Sequence, residues 1–134
     1  MTTTPPPAPP SADQPQAVAP LTMPGQYIKD LSFENPRAPQ SLIEQTQPQL
    51  TLNVQVANRQ FDTKTFEVSL TIEASAHTPE KEPLFMLELI YAGTVTLGDL
   101  RQEAFGPMLF NETPRLLFPF ARAIVANATR EAGF

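Results

Sequence analysis

The chain is 134 residues long, with 9 basic and 14 acidic side chains for a net charge of −5, 16 prolines and no cysteine. That length holds one domain, and the acidic balance argues against nucleic acid or an anionic membrane as a main partner, because both select a basic face. Without cysteine there is no disulfide, thiolate metal site or thiol nucleophile.

Eight of the prolines fall between Pro5 and Pro24, in MTTTPPPAPPSADQPQAVAPLTMP. Such a segment buries almost nothing and cannot offset its ordering entropy, so residues 1–25 are expected to form a disordered, partly polyproline-II arm. A groove-binding domain could read it, but a solubilising tail is the simpler role. Met1 to Pro24 contains no Lys or Arg and no apolar run, so it does not read as a signal peptide. No run of about 18 apolar residues occurs, so no membrane-spanning helix is expected and the chain is read as soluble and cytoplasmic.

The folded domain is expected over residues 26–134. Tyr27 to Pro39, YIKDLSFENPRAP, begins as a short strand of period two: Ile28, Leu31 and Phe33 supply apolar surface, while Lys29, Asp30, Ser32 and Glu34 meet water. Asp30 and Glu34, four apart in a strand, share a face and suggest a docking surface. Gln40 to Gln47 reads as a crossover loop exposing Leu42 and Ile43. Gln49 to Val56 alternates strictly, with Leu50, Leu52, Val54 and Val56 on one side, which predicts a half-buried strand. Ala57 to Lys64 is a turn. Thr65 to Ala76 alternates again, with Phe66, Val68, Leu70, Ile72 and Ala74 opposite Glu67, Ser69, Thr71 and Glu73. His77 to Pro83 is a charged hairpin loop. Leu84 to Leu97 is the longest apolar strand, and Gly93 inside it marks a bulge or bend.

The rest reads as helix. Asp99 to Phe105 predicts a short helix that Gly106-Pro107 ends. Thr113 suits an N-cap with Pro114 at the first position. Leu117, Phe120, Ala121, Ile124, Val125 and Ala128 form a stripe at helical spacing that Pro119 should kink or delay. Arg130 and Gly133 suit the C-terminal end. Four strands followed by helix predict an α+β fold, an antiparallel sheet with helix on one face. One helix covers little of such a sheet, so a second copy of the chain is expected to cover more, giving an oligomer.

No catalytic constellation emerges. His77, the single histidine, reads as a solvated loop residue; Glu80 and Glu82 flank Lys81 in an ordinary charged turn; Asp99, Arg101 and Glu103 read as a solvated face. The glycines, at 25, 93, 98, 106 and 133, form no phosphate loop or nucleophile elbow. No cofactor or metal is called for. Nine phenylalanines and four methionines stand out in a chain without tryptophan. Leu42, Ile43, Phe105, Met108, Leu109 and Phe110, in loop-like or glycine-interrupted contexts, suit a groove that accepts many partners.

Three segments carry a family resemblance. YIKDLSFENPRAP resembles the opening strand of SecB, the bacterial protein-export chaperone family; FMLELIYAGTVTL (Phe85 to Leu97) resembles its fourth strand; and LFPFAR (Leu117 to Arg122) resembles the start of its main helix. The resemblance spans about Tyr27 to Phe134. It implies a tetramer built as a dimer of dimers, long apolar grooves for unfolded precursor proteins, and delivery of these to the motor ATPase SecA. It also implies that Asp30, Glu34, Met86 and Glu88 form the acidic SecA-docking surface. Two departures follow: Thr46 stands where the family usually has an aromatic residue, and the family's second helix and mobile tail, beyond the position of Phe134, are absent from this sequence.

The function expected is a non-enzymatic holdase that keeps precursors translocation-competent. The alternative is a SecB-like chaperone dedicated to one partner, such as an antitoxin. A small hydrolase would need a polar cluster in a closed pocket, which the sequence does not announce.

Overall fold

A computed structural model describes residues 3–4, 20–44 and 46–134. The strands are β1 (Leu21–Glu34), β2 (Gln49–Gln60), β3 (Thr65–His77) and β4 (Pro83–Leu97). A one-turn helix α1 (Gln40–Ile43) lies between β1 and β2, and α2 (Gln102–Pro107) leads through a π-helical segment, Met108–Glu112, into α3 (Thr113–Glu131). The sheet order is β1-β4-β3-β2 with every pairing antiparallel. The expected α+β architecture with helix on one face is therefore the observed one.

Register explains the core. Phe66, Val68, Leu70, Ile72 and Ala74 of β3 stand opposite Val95, Gly93, Tyr91, Leu89 and Leu87 of β4, so both central strands turn one apolar face toward α3. Leu117 and Ala121 of α3 close over this face with no exposed surface, and each such aliphatic side chain contributes about 1.5–3 kcal/mol. Gly93 has a close-approach role: a Cβ there would meet Leu117 Cδ2 and Met23 Sδ, each at 3.1 Å. Ala76, Leu84 and Phe85 form a second, smaller apolar cluster at the other end of the sheet.

Several sequence expectations change. β1 begins at Leu21, ahead of the expected boundary at residue 26, and Leu21 and Thr22 pair with Leu97 and Thr96. Most of the remaining expected arm lies outside the described residues. Residues 40–43 form a helical turn rather than plain loop. Ala57 to Gln60 belongs to β2, not to the turn, and His77 ends β3 opposite Pro83.

The helical region differs most. Gly106-Pro107 does not end a helix, and Thr113 is no N-cap, because its backbone and its neighbours' are helical. Thr113 is fully buried, and both its N–H and its Oγ1 donate to the Met108 carbonyl, Oγ1 at 2.8 Å. A π turn is wider than an α turn, which makes room ahead of Pro114, whose ring would otherwise press on the carbonyl four residues back. α3 then runs on through Pro119. Of the predicted stripe, Phe120 is the exception: it is exposed, while Ile124, Val125 and Ala128 pack on the core. The C-terminal reading holds. Gly133 has a φ of 94°, its N–H donates to Arg130 and that of Phe134 to Thr129, satisfying the last carbonyls of the helix.

Candidate functional site

The sheet face away from α3 gathers the acidic residues. Glu34 stands opposite Met86, Ser32 opposite Glu88 and Asp30 opposite Ile90, so Asp30, Glu34, Met86 and Glu88 share this face across β1 and β4. The next strand adds a residue that the sequence reading missed: Glu73 of β3 stands directly opposite Glu88. Its alternation with Thr71 and Ser75 was visible, but only the strand register shows that it completes the cluster. Glu34, Glu73, Met86 and Glu88 line an open depression of about 360 Å³ floored by Ser32, Ser75 and Asn53; Asp30 lies outside it. Among the described residues no basic side chain pairs with any of these four carboxylates. Like charges directly opposite one another in a sheet repel, so the cluster gives this face a locally negative surface.

Farther along the same face the charges are paired. Glu67 of β3 is buried, accepts a bond from Lys29 Nζ at 2.7 Å and another from the Tyr27 hydroxyl. Both donors come from β1, so the cluster ties β1 to β3 across β4, over the small residue Ala92. The Lys29 and Tyr27 hydrogen bonds hold the Glu67 carboxyl below the usual carboxylate range. Burial first, then the bond to Glu67, pushes the Tyr27 phenol up to about 12.

The helix side carries apolar surface instead. Ile43 is 78% exposed and Leu42 about half exposed on α1, and Phe110 is exposed on the π segment. Leu109 is only 5% exposed and belongs to the main core; Met108 packs against that core, and Phe105 sits edge-on to Phe66 at 6.4 Å. The six residues thus separate. Leu42 packs on Gly133 near Phe85, whereas Phe105 neighbours Phe66, and Phe66 and Ala76 lie roughly 30 Å apart at about 3.3 Å per strand residue. Between these ends runs a row not singled out from sequence: Leu50 and Leu52 of β2, 72% and 63% exposed, with Val54 beyond them. Their alternation predicts a half-buried strand, but among the described residues this row stays largely exposed. Thr46 is exposed before this row.

Comparison with known proteins assigns the family. The profile described as preprotein translocase subunit SecB matches residues 13–134. A protein-export protein SecB of a Bradyrhizobium species is 52% identical over 124 residues, covering 90% of this chain and 75% of that one. The SecB of Afipia carboxidovorans is 51% identical over 110 residues, covering 81% and 68%. In fold, a Mycobacterium tuberculosis SecB-like chaperone, solved in complex with a ChAD peptide from an antitoxin, superposes with a TM-score of 0.71 at 13% identity, over 85% of this chain and 84% of that one. With an acidic face, an apolar helix side and these matches along nearly its whole length, the chain belongs to the SecB family.

Proposed function

We propose that this protein is an export chaperone that holds unfolded precursor proteins on its helix side and docks the motor SecA on its acidic face. The observation that carries the reading is the separation of two surfaces on one thin sheet. Unpaired carboxylates line one side, and solvent-facing leucines, isoleucine and phenylalanine line the other. Client contacts would run from Leu42 and Ile43 along Leu50, Leu52 and Val54 toward Phe110. Leu109, Phe105 and Met108 would support that groove from within. Each contact is weak and non-directional, about 25 cal/mol per Å² buried, so useful affinity comes from a long client occupying several sites at once. Because such a protein binds only the unfolded state, mass action delays folding of the client, and no catalytic group is required.

Docking would use Glu34, Met86 and Glu88, with Asp30 at the margin and Glu73 as a further contact. The chain would act in the cytoplasm as a tetramer. Leu116, Phe118 and Phe120, exposed on α3, supply apolar surface for copies to bury. The dedicated-partner alternative is not favoured, since relatives near half identity are export proteins whereas the antitoxin-bound chaperone shares the fold alone.

The test is charge reversal. Glu34→Lys with Glu88→Lys should weaken SecA binding at least tenfold at low salt, with the difference from wild type shrinking as salt screens the charges. Retention of a slow-folding precursor should stay within about twofold of wild type. Equal loss of both activities would overturn the assignment of separate faces.

A further inference from the structure

Behind the acidic depression, the second apolar cluster joins four separate elements. Alternation places Phe33 immediately behind Glu34, and Phe85 immediately behind Met86. On the helix side their rings stack, with centroids 5.6 Å apart and planes at 14°. Phe134 lies on Phe85 at 5.0 Å, tilted by 53°. Asn35, one residue beyond β1, donates from Nδ2 to the Ala132 carbonyl at 3.1 Å and so caps the end of α3. Gly133 meets Leu42 of α1 so closely that a Cβ would lie 3.0 Å from Leu42 Cδ2. A continuous chain of contacts therefore runs from Glu34 and Met86 on one face to the apolar crossover helix on the other.

This end of the molecule is held by fewer buried side chains than the main core. The cluster is small beside the main core and holds only three fully buried members, Ala76, Leu84 and Phe85. Low local burial favours local opening. Arg37, in the turn between β1 and α1, pairs with Glu44 at the end of α1 at 3.0 Å and with Glu82 of the β3–β4 hairpin at 3.4 Å, so a shift of β4 is felt in that turn too.

We propose that the Phe33–Phe85–Phe134 column and the Asn35 cap form a latch between the docking face and the crossover helix. A partner gripping Glu34 and Met86 shifts β1 against β4, unseats Phe134 and frees α1 with Leu42 and Ile43, which lowers the hold on a client. The inference rests on the docking reading above, and coupling of this kind needs only a device whose two arrangements both sites bias.

Two measurements test it. In the first, affinity for a reduced, carboxymethylated protein that stays unfolded is measured with and without saturating SecA, whose own binding is followed separately. SecA should lower client affinity about tenfold in the wild-type chain and less than twofold in Phe134→Ala, which by linkage should also bind SecA more tightly, since docking no longer has to unseat the ring. Phe134→Tyr, which keeps the ring, should behave as wild type. A tenfold drop that persists in Phe134→Ala, or no drop in wild type with SecA bound, overturns the latch. SecA failing to bind at all would instead count against the docking reading, and the second measurement needs no SecA. Amide hydrogen exchange in Phe134→Ala should quicken at least threefold at Leu42 and Glu44 and at the end of β1, and stay unchanged at Leu70 and Leu89. Wild-type rates at Leu42 and Glu44 overturn the latch whether or not SecA docks.

Discussion

β2 and β3 are neighbours with the same alternating script, yet they end in opposite environments. Leu70 and Ile72 of β3 are buried, whereas Leu52 and Val54, on the same side of the sheet and one strand over, face solvent. The difference is one of widths. A helix with its side chains is about 10–12 Å across, and strands lie about 4.8 Å apart, so one helix seals two strands and leaves two to other means. α3 lies over β3 and β4. β1 recovers cover locally, through Phe33 on Phe85 and through Leu21 and Met23 at the main core, and on the opposite face the Tyr27–Lys29–Glu67 tie holds it to β3. β2 recovers little, apart from Val56 at the edge of the core. Alternation assigns a residue to a face; it does not say that the face is covered.

The largest expected effect lies on the sealed side. Leu70→Ala should cost about 2–5 kcal/mol in urea unfolding followed by circular dichroism, because it removes a buried side chain under a helix that can only partly collapse onto the gap. A cost below about 1 kcal/mol would mean that α3 does not seal β3, and the contrast with β2 would dissolve.

That contrast also marks how far the sequence could be read. Strand faces, antiparallel pairing and the Gly133 cap follow from rules that leave a trace in sequence, whereas the order β1-β4-β3-β2 does not. The proposed docking role of Asp30, Glu34, Met86 and Glu88 comes from resemblance to a family motif, and their juxtaposition follows only from the pairing of β1 with β4. Glu73 was legible as a surface residue but not as a member of the cluster, since opposition across strands has no signature in sequence. Thr113 and Pro114 misled for a definite reason. Threonine before proline is a strong helix-start pattern, yet the chain solves the proline problem with a π turn inside one long helical run. Leu109 misled because a glycine and a proline nearby suggested a loop, while helical spacing from Leu109 to Leu117 turned it inward.

An intermediate effect belongs to the β1 tie. Glu67→Gln should destabilise the chain by about 1–2 kcal/mol at neutral pH, a figure reduced for the half-exposed Lys29. The pH dependence separates the two bonds. The Glu67 carboxyl is lowered on folding, so its contribution is present above the ordinary carboxylate pKa of about 4.3 and fades as pH falls through the lower folded value. The Tyr27 phenol is raised, so its contribution is full below about pH 10 and is lost as pH rises through about 12. Tyr27→Phe should remove the alkaline limb and make the acid limb shallower, since its hydroxyl is one of the two donors to Glu67, whereas Glu67→Gln should remove the acid limb and leave part of the alkaline one, since burial still raises the phenol. Unchanged limbs in both variants would show that β1 is held without this tie.

The smallest effect on stability is the sharpest test of the bare strand. Leu52 is 63% exposed, so Leu52→Ser should move unfolding by no more than about 0.5 kcal/mol, as surface changes do. The same change should weaken binding of an unfolded client about threefold to tenfold, since a leucine that meets a client loses its apolar contact there. A loss near 2 kcal/mol that grows on dilution would point elsewhere, because burial by a second copy makes stability depend on concentration, whereas burial by a client does not. β2 would then be an interface between subunits, and the client path would have to run from Leu42 and Ile43 without it.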